Sequence, residues 1–256
     1  HHLLGRRQRQ MCIRDSMYNE DCLQTMSRIP NNFIDLTIMA PPYNLGIAYD
    51  NYDDDIPADE YFENIATWLQ EIYRITKADG RVCINHCMMC SMKGERFSPI
   101  DRIARIAKQV GFKYHGLAIW TDRTVSKLTA WGSWRSASAP YINLPYEGIL
   151  VLYKDRWKKD KRGTTNISKQ EFMQGCSGIW DLKTNNTKYH PAAFPITLPN
   201  QCIKLLTYEN DIVYDPFIGT GTTAIACKKL NRYYIGSEIS KNYCAVAERR
   251  LSKLCQ

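Results

Sequence analysis

Strands alternating with helices predict an α/β sandwich on a mostly parallel sheet covered on both faces. Three observations carry this. Strand-length apolar runs such as Phe33–Met39 (FIDLTIM) and Asp211–Phe217 (DIVYDPF) are each followed by a turn and a stretch of helical character. A Gly-rich turn around Gly219 and Gly221 joins strand to helix near the C-terminus. The 256 residues, 44% of them hydrophobic, suffice for one large α/β domain or two small ones with a sizeable core.

The first sixteen residues, HHLLGRRQRQMCIRDS, are basic and without periodicity, and they precede a plausible start at Met17. They are expected to be an extension foreign to the domain, which leaves 17–256 as a single unit. FIDLTIM reads as a buried strand running into a Pro-Pro turn. An acidic loop, Tyr49–Phe62, then leads into a helix over about 57–76, where its carboxylates suit the helix N-terminus. In that helix Phe62, Ile65, Ala66, Leu69, Ile72 and Ile75 recur at helical spacing, and Gly80 is expected to stop it. RVCINHC is a strand, and Ile100–Val110 a second helix ended by Gly111.

KYHGLAIWT and EGILVLYK are further strands. Asp122 to Asn186 is polar, aromatic and irregular, and is expected to be an insert that recognises the target. Within it the run Lys154–Arg162 carries Lys154, Arg156, Lys158, Lys159, Lys161 and Arg162 against two acids. Such runs usually face solvent. Beside this insert, and with a formal net charge of +8, a nucleic-acid surface is plausible. The α/β rhythm then returns through TLPNQCIKLLT, DIVYDPF, GTGTTAIACKKL, YYIGSEIS and a terminal helix.

Ten cysteines in a chain of this length, without a signal sequence, are expected to be reduced, which places the protein in the cytoplasm and off the membrane. His86–Cys90 (HCMMC) has a Cys-x-x-Cys beside a His, but no second pair follows at finger-like spacing and the cluster ends a strand, so no metal is expected.

Gly219 and Gly221 fall in a G-x-G-x-x-A pattern after a strand, with Glu238 about twenty residues on. Alone, this could serve a dinucleotide, or no ligand at all. The lead-in Asp215-Pro216-Phe217, combined with Pro41-Pro42-Tyr43-Asn44 far upstream, resembles the S-adenosylmethionine-dependent DNA amino-methyltransferases that modify adenine N6 or cytosine N4. The order of parts matches their permuted β group, and the resemblance covers nearly all of 17–256.

The resemblance implies a Rossmann-like seven-stranded sheet whose last hairpin is antiparallel, built from GLAIW and GILVLY. It implies that Asp215, Phe217, Gly219, Gly221 and Thr222 wrap the methionine part of S-adenosylmethionine and that Glu238 holds its ribose. Asp21 matches the acidic position facing the adenine, and His190–Pro195, with Phe194, matches a segment lining the same pocket. Double-stranded DNA with a flipped target base is the implied partner. A restriction–modification pair with a cognate restriction endonuclease, an orphan enzyme and a homodimer are all compatible with it.

An exocyclic amino nitrogen is a poor nucleophile, and two acceptors aimed at its N–H groups draw its lone pair toward the methyl. The Pro41 carbonyl offers one, the diproline stiffens the turn, and Tyr43 is expected to stack on the flipped base. Relatives carry Asp or Ser before the diproline where this chain has Ala40, so one acceptor is missing at that position. Slow methylation, compensation elsewhere and an inactive DNA- and cofactor-binding homologue follow as alternatives, as does a related enzyme acting on an RNA base or a protein amide. If the acceptor at position 40 is limiting, Ala40→Ser or Ala40→Asp should restore about two orders of magnitude in rate.

Overall fold

The computed structural model describes residues 14–92, 95–121, 132–142, 146–183 and 193–254. In chain order the strands are β1 (Ser16–Tyr18), β2 (Ile34–Met39), β3 (Thr76–Cys87), β4 (Cys90–Met92), β5 (Glu95–Phe97), β6 (Lys113–Thr121), β7 (Tyr146–Tyr153), β8 (Ile179–Asp181), β9 (Ile212–Asp215) and β10 (Tyr233–Ser237). The helices are α1 (Cys22–Arg28), α2 (Ala58–Ile75), α3 (Pro99–Val110), α4 (Lys169–Gly175), α5 (Thr197–Leu206), α6 (Thr222–Lys229) and α7 (Lys241–Ser252).

The main sheet has eight strands in the order β1-β10-β9-β2-β3-β7-β6-β8. The block from β1 to β3 is parallel, and β7 runs antiparallel between β3 and β6, as the hairpin of GLAIW and GILVLY was expected to do. The expected count of seven is exceeded by β8, which adds parallel to β6 at Ile119–Thr121. The start of the fold also differs from expectation. Ser16 pairs with Ile235, and Asp15 bonds the Tyr234 amide and pairs with Lys228 at 2.8 Å. These residues of the basic leader are therefore part of the sheet edge.

Both faces of the sheet are covered. One core combines α1, α2 and α3 through Met26, Ile65, Leu69, Ile72 and Ile103. The other combines α5 and α6 through Leu198, Cys202, Ile203 and Ala226 with Leu36 and Ile38 of β2. Helix α2 buries seven apolar or aromatic side chains, each contributing on the order of 1.5–3 kcal/mol to hydrophobic stabilisation. It ends at Ile75, before Gly80. The Thr76 hydroxyl bonds back to the Ile72 carbonyl at 2.6 Å, and the chain enters β3 directly. Gly80 lies inside β3, where a Cβ would stand 2.6 Å from Thr76 Cγ2 and 2.9 Å from the Ile34 carbonyl oxygen. It serves close strand packing. Helix α3 ends where expected, with Gly111 at φ 122°.

The stretch 122–186, expected to be an insert, contains β7, which lies inside the sheet. Parts of it, at 122–131, 143–145 and 184–186, lie outside the described residues. No helix among the described residues is long and apolar enough to cross a membrane.

Candidate active site

In a parallel sheet with crossover helices, the C-terminal ends of the strands gather the loops that bind ligands. Here β2 runs out into Ala40, β9 ends at Asp215 and β10 runs out into Glu238, so three sequence-distant segments meet at one edge. They enclose a cavity of about 380 Å³. Ala40, Pro41, Pro42 and Tyr43 form one wall, and Phe217, Gly219, Thr222 and Glu238 form another. Asp21 and Phe194 also line the cavity, while His190, in the same expected segment as Phe194, lies outside the described residues.

Two of the expected cofactor residues act from behind this wall. Asp215 is buried, accepting from the Phe217 amide at 3.0 Å and from the Thr223 hydroxyl at 2.5 Å. It thereby holds the loop in shape, and burial raises its carboxyl to about 7. Gly221 is the N-cap of α6 at φ 81°, and a Cβ there would stand 2.8 Å from Ala247 Cβ on α7. A side chain at that point would push two helices apart, so this glycine serves close packing. Gly219, at φ 53°, gives its N–H to Glu238 Oε2 at 3.0 Å. The other Glu238 oxygen accepts from the Ser240 amide at 2.8 Å, and burial raises this carboxyl too.

The Pro-Pro turn is held by its neighbours. Tyr61 of α2 donates to the Pro42 carbonyl at 2.8 Å, and His86 Nε2 lies 2.8 Å from the same hydroxyl. Burial drops the His86 pKa to about 4, so its ring is neutral at physiological pH. That ring stacks on Tyr43 with centroids 4.2 Å apart. One face of Tyr43 is thus covered while the residue lines the cavity. Among the described residues none donates to the Pro41 carbonyl.

Two parts of the site were not expected from sequence. The acidic loop after the turn, read as the lead into a helix, folds over the cavity and lines it with Tyr49, Asp50 and Tyr52. Buried Asp54 pins it, accepting from the amides of Asn44 at 2.8 Å, Leu45 at 3.1 Å and Ile47 at 3.0 Å. Asn44 closes the base of the loop through both its amide atoms and the backbone of Ile56. The Ser240 hydroxyl donates to Asp50 at 2.5 Å, which ties the loop to the cap of α7. The other addition is Glu147 of β7, which lines the cavity beside the turn. The Tyr43 hydroxyl donates to its Oε2 at 2.7 Å, and Asn85 of β3 donates to both groups.

The basic run is not brought to this site. Glu147, at the start of β7, pairs with Cys87, and Tyr153, at its end, pairs with Arg81. Lys154 therefore emerges on the opposite edge of the sheet, about 20 Å from the cavity edge at roughly 3.3 Å per strand residue. There Lys154 is buried and donates to Asn32 Oδ1 and to the carbonyls of Tyr73 and Thr76. Lys159 bridges Asp35 and Asp211, each at 3.3 Å, and Arg156 pairs with Asp160. Lys158, Lys161 and Arg162 are exposed on that edge.

The charge of the cavity decides between ligand classes. Its described lining holds four carboxylates, Asp21, Asp50, Glu147 and Glu238, and no Lys, Arg or His. A dinucleotide's pyrophosphate would find no cationic side chain in that lining. A cofactor with a sulfonium and an ammonium group suits the wall, and Trp68, Phe217 and Tyr243 supply aromatic surface for it.

The family model for N6_N4_Mtase, described as DNA methylase, matches residues 34–249. The chain belongs to this family. It is 41% identical over 173 residues to the type II methyltransferase M.MjaVI of Methanocaldococcus jannaschii, covering 68% of this chain and 88% of that protein. Among solved structures it resembles TTHA0409 of Thermus thermophilus in complex with S-adenosyl-L-methionine. The TM-score is 0.73 at 22% identity, covering 93% of each chain. It also resembles the cytosine-N4-specific PvuII DNA methyltransferase, with a TM-score of 0.69 at 21% identity, covering 92% of this chain and 85% of that one. The expected DNA methylase family and its α/β fold are those found.

Proposed function

We propose that this DNA methylase transfers the methyl of S-adenosylmethionine to the exocyclic amino group of a base turned out of duplex DNA into the cavity. The carboxylate-lined cavity, with the Pro-Pro-Tyr turn as one wall, carries this reading. When bound, the cofactor supplies an electrophilic methyl on sulfur. Glu238 would hold its ribose and Asp21 would face its adenine, and the loop after β9 would shape the wall of its site.

On the other side the protein positions the base. The uncovered face of Tyr43 takes it by stacking, with a value of about 1–3 kcal/mol for a base on an aromatic ring. The Pro41 carbonyl accepts one N–H of the amino group. The loop pinned by Asp54 covers the cavity and keeps out water, which would otherwise weaken these contacts.

Calorimetry with S-adenosylmethionine and with NAD tests the cofactor side. Binding of the first and none of the second is expected, and tight NAD binding would overturn the assignment. Fluorescence of duplexes carrying 2-aminopurine tests base extrusion. A rise on binding that depends on the position of the analogue is expected.

A further inference from the structure

Position 40 lacks the acceptor that the reaction calls for, yet a carboxylate lines the same cavity. Met39, the last residue of β2, is in register with Ile84, so Ala40 comes level with Asn85 of β3. Strand β7 is the next neighbour of β3, and its Glu147 pairs with Cys87 at the same end of the sheet. Two strand spacings, about 10 Å, separate β2 from β7. The Glu147 side chain reaches back over Asn85 to the Tyr43 hydroxyl at 2.7 Å. Both Ala40 and Glu147 line the cavity.

We infer that Glu147 takes the place of the missing side chain at position 40 and accepts the second N–H of the target amino group. Its Oε2 is held by Tyr43 and Asn85, while Oε1 has no hydrogen-bond partner among the described residues. The group is thus oriented by one oxygen and leaves the other for the substrate. Asn85 and Tyr43 are positioning residues in this arrangement. The nitrogen that gains the methyl must shed one proton, and Glu147 receives it. The carboxylate becomes a neutral acid as the amino group becomes a methylamino group. Burial raises the Glu147 carboxyl, against the opposing effect of the bonds from Tyr43 and Asn85, which suits it to take a proton.

This inference rests on the proposed function, and the test separates the two. Glu147→Gln keeps an oxygen for Tyr43 and replaces the free acceptor by an N–H donor that opposes the substrate's own. Single-turnover methylation should fall by about two orders of magnitude or more, the usual scale for one preorganised contact. The affinity for S-adenosylmethionine should stay within about twofold, well under the 1.4 kcal/mol that a tenfold change represents. Ala40→Asp in the Glu147→Gln background should recover most of the missing rate.

A second readout needs no turnover. The wild type should bind a duplex whose target base lacks the amino group more weakly than the normal duplex, and Glu147→Gln should lose that discrimination. Undiminished methylation by Glu147→Gln would overturn this inference alone. A gain of about two orders of magnitude from Ala40→Asp in the wild type would do the same, since the acceptor would then be truly absent. A wild-type chain that binds cofactor and duplex and leaves no methylated base would overturn both readings together.

Discussion

Tyr43 and Glu147, 104 residues apart in the chain, share a hydrogen bond of 2.7 Å at the rim of the cavity. The bond joins the Pro-Pro turn after β2 to the start of the antiparallel strand β7. Burial and the adjacent carboxylate hold the Tyr43 hydroxyl well above its ordinary pKa, so it remains a donor. Tyr43→Phe should keep the stacking surface and the Pro41 carbonyl while leaving Asn85 as the one remaining donor to Glu147 Oε2. Methylation should fall by roughly tenfold, on the scale of one hydrogen bond to a charged group, whereas Tyr43→Ala should also weaken duplex binding. Equal effects of the two substitutions on duplex affinity would argue against stacking.

Asp54 fixes the covering loop through three amide bonds. Asp54→Ala leaves those amides without their partner, at a cost of about 1–3 kcal/mol for each one that stays buried. Faster hydrogen exchange confined to residues 44–56 is expected, together with weaker cofactor binding. Exchange unchanged in that loop would show that it is held by other contacts.

Glu238 binds two backbone amides and faces the cavity. Glu238→Ala should weaken S-adenosylmethionine binding at least tenfold, on the order of 1.4 kcal/mol. Calorimetry showing unchanged affinity would remove Glu238 from the cofactor site.

Asp215 gives a pH dependence of stability. Its folded pKa of about 7 lies above the ordinary 3.8 because burial penalises the charge. A raised folded pKa means that the native state binds the proton more tightly than the unfolded chain. The stabilisation is fully present below the unfolded value and is lost as pH rises from about 4 through about 7. Asp215→Asn should flatten the stability profile in that window, measured by urea unfolding at several pH values. A slope identical to that of the wild type would assign the dependence to other groups.

The basic run gives the opposite expectation from its composition. Lys158, Lys161 and Arg162 lie on the edge away from the cavity, so replacing all three with Gln should leave duplex affinity and its salt slope nearly unchanged. Had these side chains neutralised phosphates, each one removed would flatten the slope by about 0.9.

The elements were legible in the sequence wherever burial follows a period. Helices α2 and α3 show their apolar stripes, β2 is largely apolar, and the Pro-Pro-Tyr and Gly-rich turns carry their chemistry in local residue types. What was not legible depends on which strands become neighbours. Glu147 opens the run EGILVLY and reads as a solvated strand end; only the placement of β7 against β3 puts it beside Tyr43. Asp54 is the middle of three consecutive acids between Tyr52 and Ile56, and nothing in that run marks it as the one that turns inward. Lys154 and Lys159 are two charges among six, and their burial follows from an edge where Asp35, Asp211 and the carbonyls of Tyr73 and Thr76 at the end of α2 converge.

The most direct test of the central claim is nucleoside mass spectrometry of duplex DNA incubated with the purified chain and S-adenosylmethionine under single-turnover conditions. The expected result is N4-methylcytosine or N6-methyladenine formed by the wild type and lost in Tyr43→Ala. No methylated base from a chain that binds both cofactor and duplex would contradict it.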